Sequence, residues 1–512
     1  MRELISTRND CEFVEAPNEH EAAKLIEQSL FWVVVTDYNL SPGGGSDTGG
    51  LAVLDAAKKR DPDTQVIVVT SRMRAELPGE VRRGHGFSCV DRGSGYYEQQ
   101  LPYEVKDALR RFKQARAEAH MAFKVFIPRS RSADPIQFQL TRMESNPNTS
   151  RRPFALEFDA MKEATAGIGS LILVNEPNQC AALSQFVGRH LWDRVFGDHA
   201  DLLLRLGEGR GMMRGSAHLP IRIVGERGAL DIPFELLHDG DEYLALQHPL
   251  VREVAGARSR ELMLPGLFAR LRDENQVLRV LLIAADTCDE DRGLGPIPMA
   301  DQEVRRIEAL FKRPDAPVQA EVKVIESAET NSGDIAEVLK QHWHVVHYAG
   351  HSTYREHDVP QSALYFWQNS CSKADWLQWR NSGEIPSAAR SLRGDLLPFT
   401  SNQLLNCLQN SVPSLFYFSC CHSARTAGAA SLLYNKSLGL LDAVAHAGVP
   451  TVVGHRWPMV DTKQGLSFVE SFYEKLVRGY VPEDAILRAR RELQEHDYVW
   501  ASPVMYVQYP GS

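Results

Sequence analysis

Two residues stand out for covalent chemistry, His351 and Cys421. Each ends a short apolar run: Val345-Val346-His347-Tyr348-Ala349-Gly350 before the histidine, Leu415-Phe416-Tyr417-Phe418-Ser419-Cys420 before the cysteine. Runs of this length without strict alternation suit strands buried on both faces of a parallel sheet. In such sheets reactive groups gather beyond the carboxyl ends of the strands, where both residues fall. A thiol of ordinary pKa, about 8.5, is only a few per cent thiolate near neutrality. An imidazole within hydrogen-bond reach takes its proton and later hands it to a leaving amine. A cysteine with a histidine elsewhere in the chain is therefore a candidate nucleophile–base pair for attack on an amide. The 70 positions between them leave room for one crossover and an insertion.

Neighbouring residues raise a rival chemistry. His344, His347, Cys420 and His422 crowd the same two motifs, and zinc has to be weighed. A structural zinc needs four converging ligands. His344 and His347, three apart on a strand, point to opposite faces, and adjacent Cys420 and Cys421 also diverge. No metal and no cofactor are expected. His347, inside its apolar run, reads as a core histidine. Gly207-Glu208-Gly209-Arg210-Gly211 follows no clear strand-to-helix step and reads as a flexible loop, not a nucleotide loop.

The elements that must position the pair alternate between strand and helix. Arg279–Ala285 reads as the first strand of their sheet, followed by a helix with Val304, Ile307, Leu310 and Phe311 on one face. Val322–Ile325 is a strand, residues 333–341 a helix, and then comes the His351 strand. Residues 353–395 are polar and rich in tryptophan (Trp367, Trp376, Trp379). They form an insertion beside the site, either contacting or regulating, or a surface excursion with its own small core. After Cys421 come helices at 439–444, 465–476 and 482–493, and a strand at 451–454. Upstream, Leu171–Val174 and Ile221–Val224 read as strands flanking a helix at 186–195.

Residues 1–118 read as a separate unit. Trp32–Asp37 and Val66–Thr70 are strands, with helices around 21–27, 49–58 and 101–109. This alternation implies a parallel doubly wound sheet. The order resembles a response-regulator receiver domain of flavodoxin-like fold. That resemblance implies a phosphoacceptor at Asp37 and a switch hydroxyl at Thr70, with Arg92 near the position of the family's lysine. The acidic pair that would bind Mg²⁺ is missing, so the ion has too few oxygen ligands. Either the unit is a degenerate docking module or the true start lies upstream of Met1.

A second resemblance covers about the last three quarters of the chain. His347-x-x-Gly350-His351-Ser352 and Ser419-Cys420-Cys421-His422-Ser423-Ala424 resemble the two signature motifs of CHAT domains, caspase-like cysteine peptidases related to caspases and separase. Ile232–Asp239, Ala447–Gly454 with Trp457-Pro458, and the helix around Ala485 and Ala489-Arg490 match further landmarks. The resemblance implies an α/β, caspase-like parallel-sheet sandwich: a pseudo-caspase half at 132–270 and a catalytic half at 271–512, joined to the first unit by a linker at 119–131. It implies Cys421 as nucleophile, in preference to Cys420, and His351 as base. The N–H groups of Cys421 and Ser352 would form the oxyanion site. Asp461 either lines the pocket for the side chain preceding the cut bond, favouring Arg or Lys, or caps a helix. His422 and Arg425 are pocket or packing residues.

At 512 residues the chain has room for two or three domains. A net charge of −9 argues against nucleic acid held by phosphate contacts. No stretch approaches 18 apolar residues, so no membrane span is expected, and no signal peptide is read. Eight cysteines, two of them adjacent, fit a reducing cytoplasm better than a disulfide framework. The expected function is cleavage of a protein partner, by family analogy a pore-forming or signalling protein in bacterial defence, with a regulatory partner on residues 1–118. The alternatives are a non-catalytic scaffold and a phosphorelay output protein.

Overall fold

A computed structural model describes residues 14–28, 31–39, 49–60, 64–71, 77, 81, 88–118, 122–128, 135–140, 148–153, 158–174, 176–197, 199–212, 218–225, 230, 232–255, 259–289, 291, 293–314, 316–353, 362–382, 385–409, 411–420, 438–457, 463–493 and 498–508. The chain divides into two units, Met1–Met121 with Thr141–Asn146, and Ala122–Leu140 with Pro147–Ser512.

In the first unit, period-2 alternation sorts the valines to two faces. Strands β1 (Val33–Asp37), β2 (Gln65–Thr70) and β3 (Ser88–Asp91) are parallel, in that order. Val34 and Val66 pack against Ile26, Val53, Leu54 and Ala57 of helices Glu19–Gln28 and Gly49–Arg60. Val33, Val35, Ile67, Val69 and Val90 face Leu101, Val105 and Ala108 of helix Tyr97–Glu118. Helices therefore cover both sides of a parallel sheet, which the alternation in the sequence anticipates.

The second unit is built on β4 (Phe123–Phe126), β5 (Pro135–Leu140), β6 (Asn148–Pro153), β7 (Ile221–Gly225), β8 (Leu250–Val254), β9 (Leu278–Ala285), β10 (Ala320–Ile325), β11 (Val345–Gly350), β12 (Ser352–Thr353), β13 (Ala363–Trp367), β14 (Leu396–Thr400), β15 (Leu415–Cys420), β16 (Thr451–His455) and β17 (Pro503–Val507). Eleven of them form one sheet in the order β10-β9-β11-β15-β16-β17-β8-β7-β4-β5-β6. β10, β9, β11, β15 and β16 run parallel, β17 turns antiparallel to β16, and β8, β7 and β4 continue parallel to β17. The two expected halves thus share one sheet. Their seam, β17 against β8, lies over a buried charge cluster. Glu235 takes a two-pronged pair from Arg252, and Arg490 approaches it at 3.8 Å. Burial alone would raise the Glu235 carboxyl; Arg252, Arg456 and Arg490 outweigh it and hold the carboxyl below its usual range.

Three expectations are corrected. Leu171–Leu173 close the helix Phe158–Leu173 instead of forming a strand; a short apolar run cannot by itself separate a strand from a buried helical turn. Gly207–Gly211 lie in the helix Ala200–Met212, not in a loop. A Cβ on Gly209 would meet Leu219 at 2.7 Å and Leu140 at 2.9 Å, so the glycine admits close packing that overrides its poor helix propensity. The expected linker at 119–131 contains β4, whose Phe123 and Val125 are buried between β5 and β7. The insertion is a folded element: β12, β13 and β14 make an antiparallel sheet with the helices Lys373–Ser382 and Ile385–Arg393. Trp367, Trp376, Trp379, Ala389 and Leu396 form its core together with Cys288, Leu294 and Ala328 from outside it. Among the described residues no helix is long and apolar enough to cross a membrane.

Candidate functional site at the tips of β11 and β15

Six consecutive buried residues, Val345–Gly350, make β11 an interior strand of the sheet, between β9 and β15. Register pairs Gly350 with Ala285 on one side and with Cys420 on the other. His351 is therefore the first residue past the tip of β11, and Cys420 is the last of β15. Cys421, the next in sequence, lies outside the described residues, as do His422, Arg425 and Asp461.

The His351 ring is fully buried, and its Nε2 lies 2.6 Å from the Gly295 carbonyl oxygen. A carbonyl only accepts, so Nε2 carries the proton and Nδ1 is the basic nitrogen of the neutral ring. The backbone is fixed as firmly. The His351 carbonyl accepts from the Tyr348 hydroxyl at 2.7 Å and from the Tyr365 N–H at 3.2 Å. Gly350 makes this possible: a Cβ there would stand 2.3 Å from the Tyr348 hydroxyl and 3.0 Å from Ala285 Cβ. Burial first, and Cys420 second, hold the Tyr348 hydroxyl well above its ordinary pKa, so it stays a donor.

Cys420 is unsuited to attack. Burial pushes its thiol up to about 12, Glu303 adds to the rise, and the Ser352 side chain bonded to it offsets only part. Ser352 of β12 pairs with Leu364 of β13. The bond from Tyr365 N–H to the His351 carbonyl flanks that pair and marks it as non-hydrogen-bonded, so the Ser352 N–H points away from β13.

The three histidines of this strand region have separate partners. His347, mid-strand, donates from Nε2 to Glu303 at 2.8 Å and accepts at Nδ1 from the Tyr473 hydroxyl at 3.1 Å, making it a satisfied core residue. At the other end, His344 Nδ1 accepts from the Arg279 N–H at 2.9 Å while its Nε2 meets His342 at 3.0 Å. Burial, then His342, Arg270 and Arg279, lower His344 to about 4. Among the described residues no group of three or more His, Cys, Asp or Glu is placed to hold a metal.

Some contributors escape a reading of the sequence. Gly295 acts through its backbone, which carries no side-chain signal. Asp286 had one, an acid at the tip of a predicted strand. Its Oδ1 accepts the Ile297 N–H at 2.6 Å and so shapes the loop that presents Gly295.

In the first unit the tips of β1 and β3 bring Asp37 and Arg92 together at 3.1 Å, both partly exposed. Asp37 Oδ1 also accepts the Asn39 N–H at 3.2 Å, and Thr70, buried at the tip of β2, receives the Arg92 N–H on its carbonyl at 2.7 Å.

The fold and these strand tips describe a mixed, parallel-rich α/β protein with a fixed imidazole beyond the tip of β11. The CHAT domain model matches residues 185–508, well over half the chain, and the protein belongs to the CHAT domain family. Two solved structures are similar at 10% identity. One is the Arg-specific cysteine proteinase gingipain R, with a TM-score of 0.33, covering 61% of this chain and 68% of that one. The other is the Saccharomyces cerevisiae separase–securin complex, with a TM-score of 0.39, covering 96% of this chain. This chain spans 37% of that separase-complex chain. No curated protein matches it in sequence.

Proposed function

We propose that the chain is a cysteine endopeptidase with Cys421 as nucleophile and His351 as base. One observation carries the reading: Gly350 and Cys420 are register partners at the tips of adjacent parallel strands, and each directly precedes one member of the pair. The Gly295 carbonyl keeps the Nε2 proton in place and leaves Nδ1 to act. In the first half-reaction Nδ1 takes the thiol proton, sulfur attacks the scissile carbonyl, and the imidazolium protonates the departing amine. In the second, the imidazole takes a proton from water, which cleaves the thioester and frees the thiol. The N–H groups of Cys421 and Ser352 are the donors for the oxyanion. The N–H direction of Ser352, away from β13, supports its part in this.

The substrate on this reading is a partner protein, such as a pore-forming or signalling protein that cleavage would activate. Asp461 would select a basic residue before the cut. Residues 1–118 would act as a recruiting or regulatory module, with Asp37 already committed to Arg92. Peptide-library profiling of the wild type against Cys421→Ala and His351→Ala tests the whole reading. Sequence-selective cleavage that vanishes in both variants supports it. Cleavage that persists in Cys421→Ala, or none in the wild type, overturns it in favour of a scaffold.

A further inference from the structure

The loop between β9 and the helix Ala300–Phe311 supplies the carbonyl that bonds His351, and the insertion grips that loop at three places. Leu294, the neighbour of Gly295, is buried in the cluster of Trp367, Trp376, Trp379, Ala389 and Leu396. Asp286 accepts the Ile297 N–H on Oδ1, faces Arg380 at 3.5 Å through Oδ2, and receives the Trp367 indole N–H on its carbonyl at 3.2 Å. Asp289 exchanges two backbone bonds with Leu294 and lies 3.6 Å from Arg390. The insertion is itself pinned to the main body. Buried Arg393 donates to the carbonyls of Ser327 at 2.6 Å and Thr330 at 2.5 Å while its guanidinium lies over Trp376.

We infer that the insertion is a clamp on the catalytic imidazole, with Leu294 and Asp286 as positioning residues that act through the Gly295 carbonyl. Its effect on turnover rests on the peptidase reading; its effect on the imidazole rests on the loop geometry alone. The mechanism is electrostatic and entropic. A carbonyl facing Nε2–H stabilises the imidazolium more than the neutral ring, because a charged donor bonds more strongly. Withdrawing it lowers the basicity of Nδ1 and lets the ring turn away from the thiol. Among the described residues, the Tyr348 hydroxyl bonds the His351 carbonyl and is itself coupled to Cys420 and Tyr365. Beyond the loop lie the opposed charges of Asp286 and Arg380, and of Asp289 and Arg390. A partner that seizes or loosens the helices Lys373–Ser382 and Ile385–Arg393 would thereby set the enzyme's rate without touching the reacting atoms.

The test is a histidine NMR titration of the full chain, with the His351 signal assigned by its loss in His351→Gln. Leu294→Ala removes the anchor without changing any charge, and Leu294→Met refills it. Leu339→Ala, an equally buried leucine in the helix Ser332–Leu339, controls for general loosening. The expected result is a fall of about 0.5–1 pH unit in the His351 midpoint for Leu294→Ala, restoration in Leu294→Met and no change in Leu339→Ala. The acid limb of kcat should move by the same amount, with kcat down about tenfold and KM within about twofold. Should Leu294→Ala not fold, Arg380→Gln and Asp286→Asn carry the same titration. An unmoved His351 midpoint in a folded variant overturns the clamp. A shifted midpoint in a protein that shows no Cys421-dependent cleavage overturns the peptidase reading and leaves the clamp standing.

Discussion

Two sheets in this protein, one parallel and one mixed, each carry a titratable side chain at the tip of a parallel strand, and they treat it in opposite ways. At β11 the imidazole of His351 is buried, its ring held by Gly295 and its backbone by Tyr348 and Tyr365. At β1 the carboxylate of Asp37 is partly exposed and, among the described residues, held by the Asn39 N–H and by Arg92, which is more exposed still. Burial multiplies the worth of each contact, because neither water nor salt competes for it. One tip is therefore preorganised at a cost to the fold, whereas the other can release its charge to a partner at little expense.

The contrast can be broken or sharpened by substitution. The largest effect is expected on rate: His351→Ala should lower peptide cleavage by about a thousandfold or more, read as kcat/KM, while Asp37→Asn leaves it unchanged. Next comes Gly350→Ala, which drives a methyl into the Tyr348 hydroxyl. About 1–3 kcal/mol of stability should be lost in denaturant titration, with most of the activity, and Tyr348→Phe in the same chain should restore part. Tyr348→Phe alone should cost about 1 kcal/mol through one lost hydrogen bond.

A pH series separates the buried histidines from the exposed ion pair. His344 is held down to about 4 and His455, by burial and by His347, to about 3. Both are neutral in the folded protein, whereas the unfolded chain binds protons near pH 6.5. Stability is then fully present above about pH 6.5 and is lost as pH falls toward 4. His344→Gln should flatten the upper part of that decline, measured as the urea midpoint between pH 7 and 4. The smallest effect is expected for Arg92→Ala, whose loss of an exposed pair should change stability by no more than about 1 kcal/mol. A larger loss there would mean that the two tips are more alike than their exposure indicates.

Much of this arrangement was readable from residue pattern. The apolar run Val345–Gly350 announced a doubly buried strand, and the position of His347 inside it announced a core residue. Side-chain periodicity survives into the structure because it is set by burial. What was not readable came through the backbone or through distant contacts. The Gly295 carbonyl has no residue type to betray it. Gly209 sits in a helix only because Leu219 and Leu140 crowd it. Phe123–Phe126 looked like a connector because four residues between polar stretches give no periodicity, yet β5 and β7 recruit them. The register of β11 with β15 was equally hidden, since pairing is a property of two segments and not of either alone.

The outermost strands of the eleven have a bearing on solubility at high concentration. β10 alternates Glu321 and Lys323 with its valines, and β6 ends at Pro153. A stray chain trying to extend the β10 border would meet charge, and at Pro153 of the other border a missing donor. The long ribbon is thus discouraged from polymerising edge to edge.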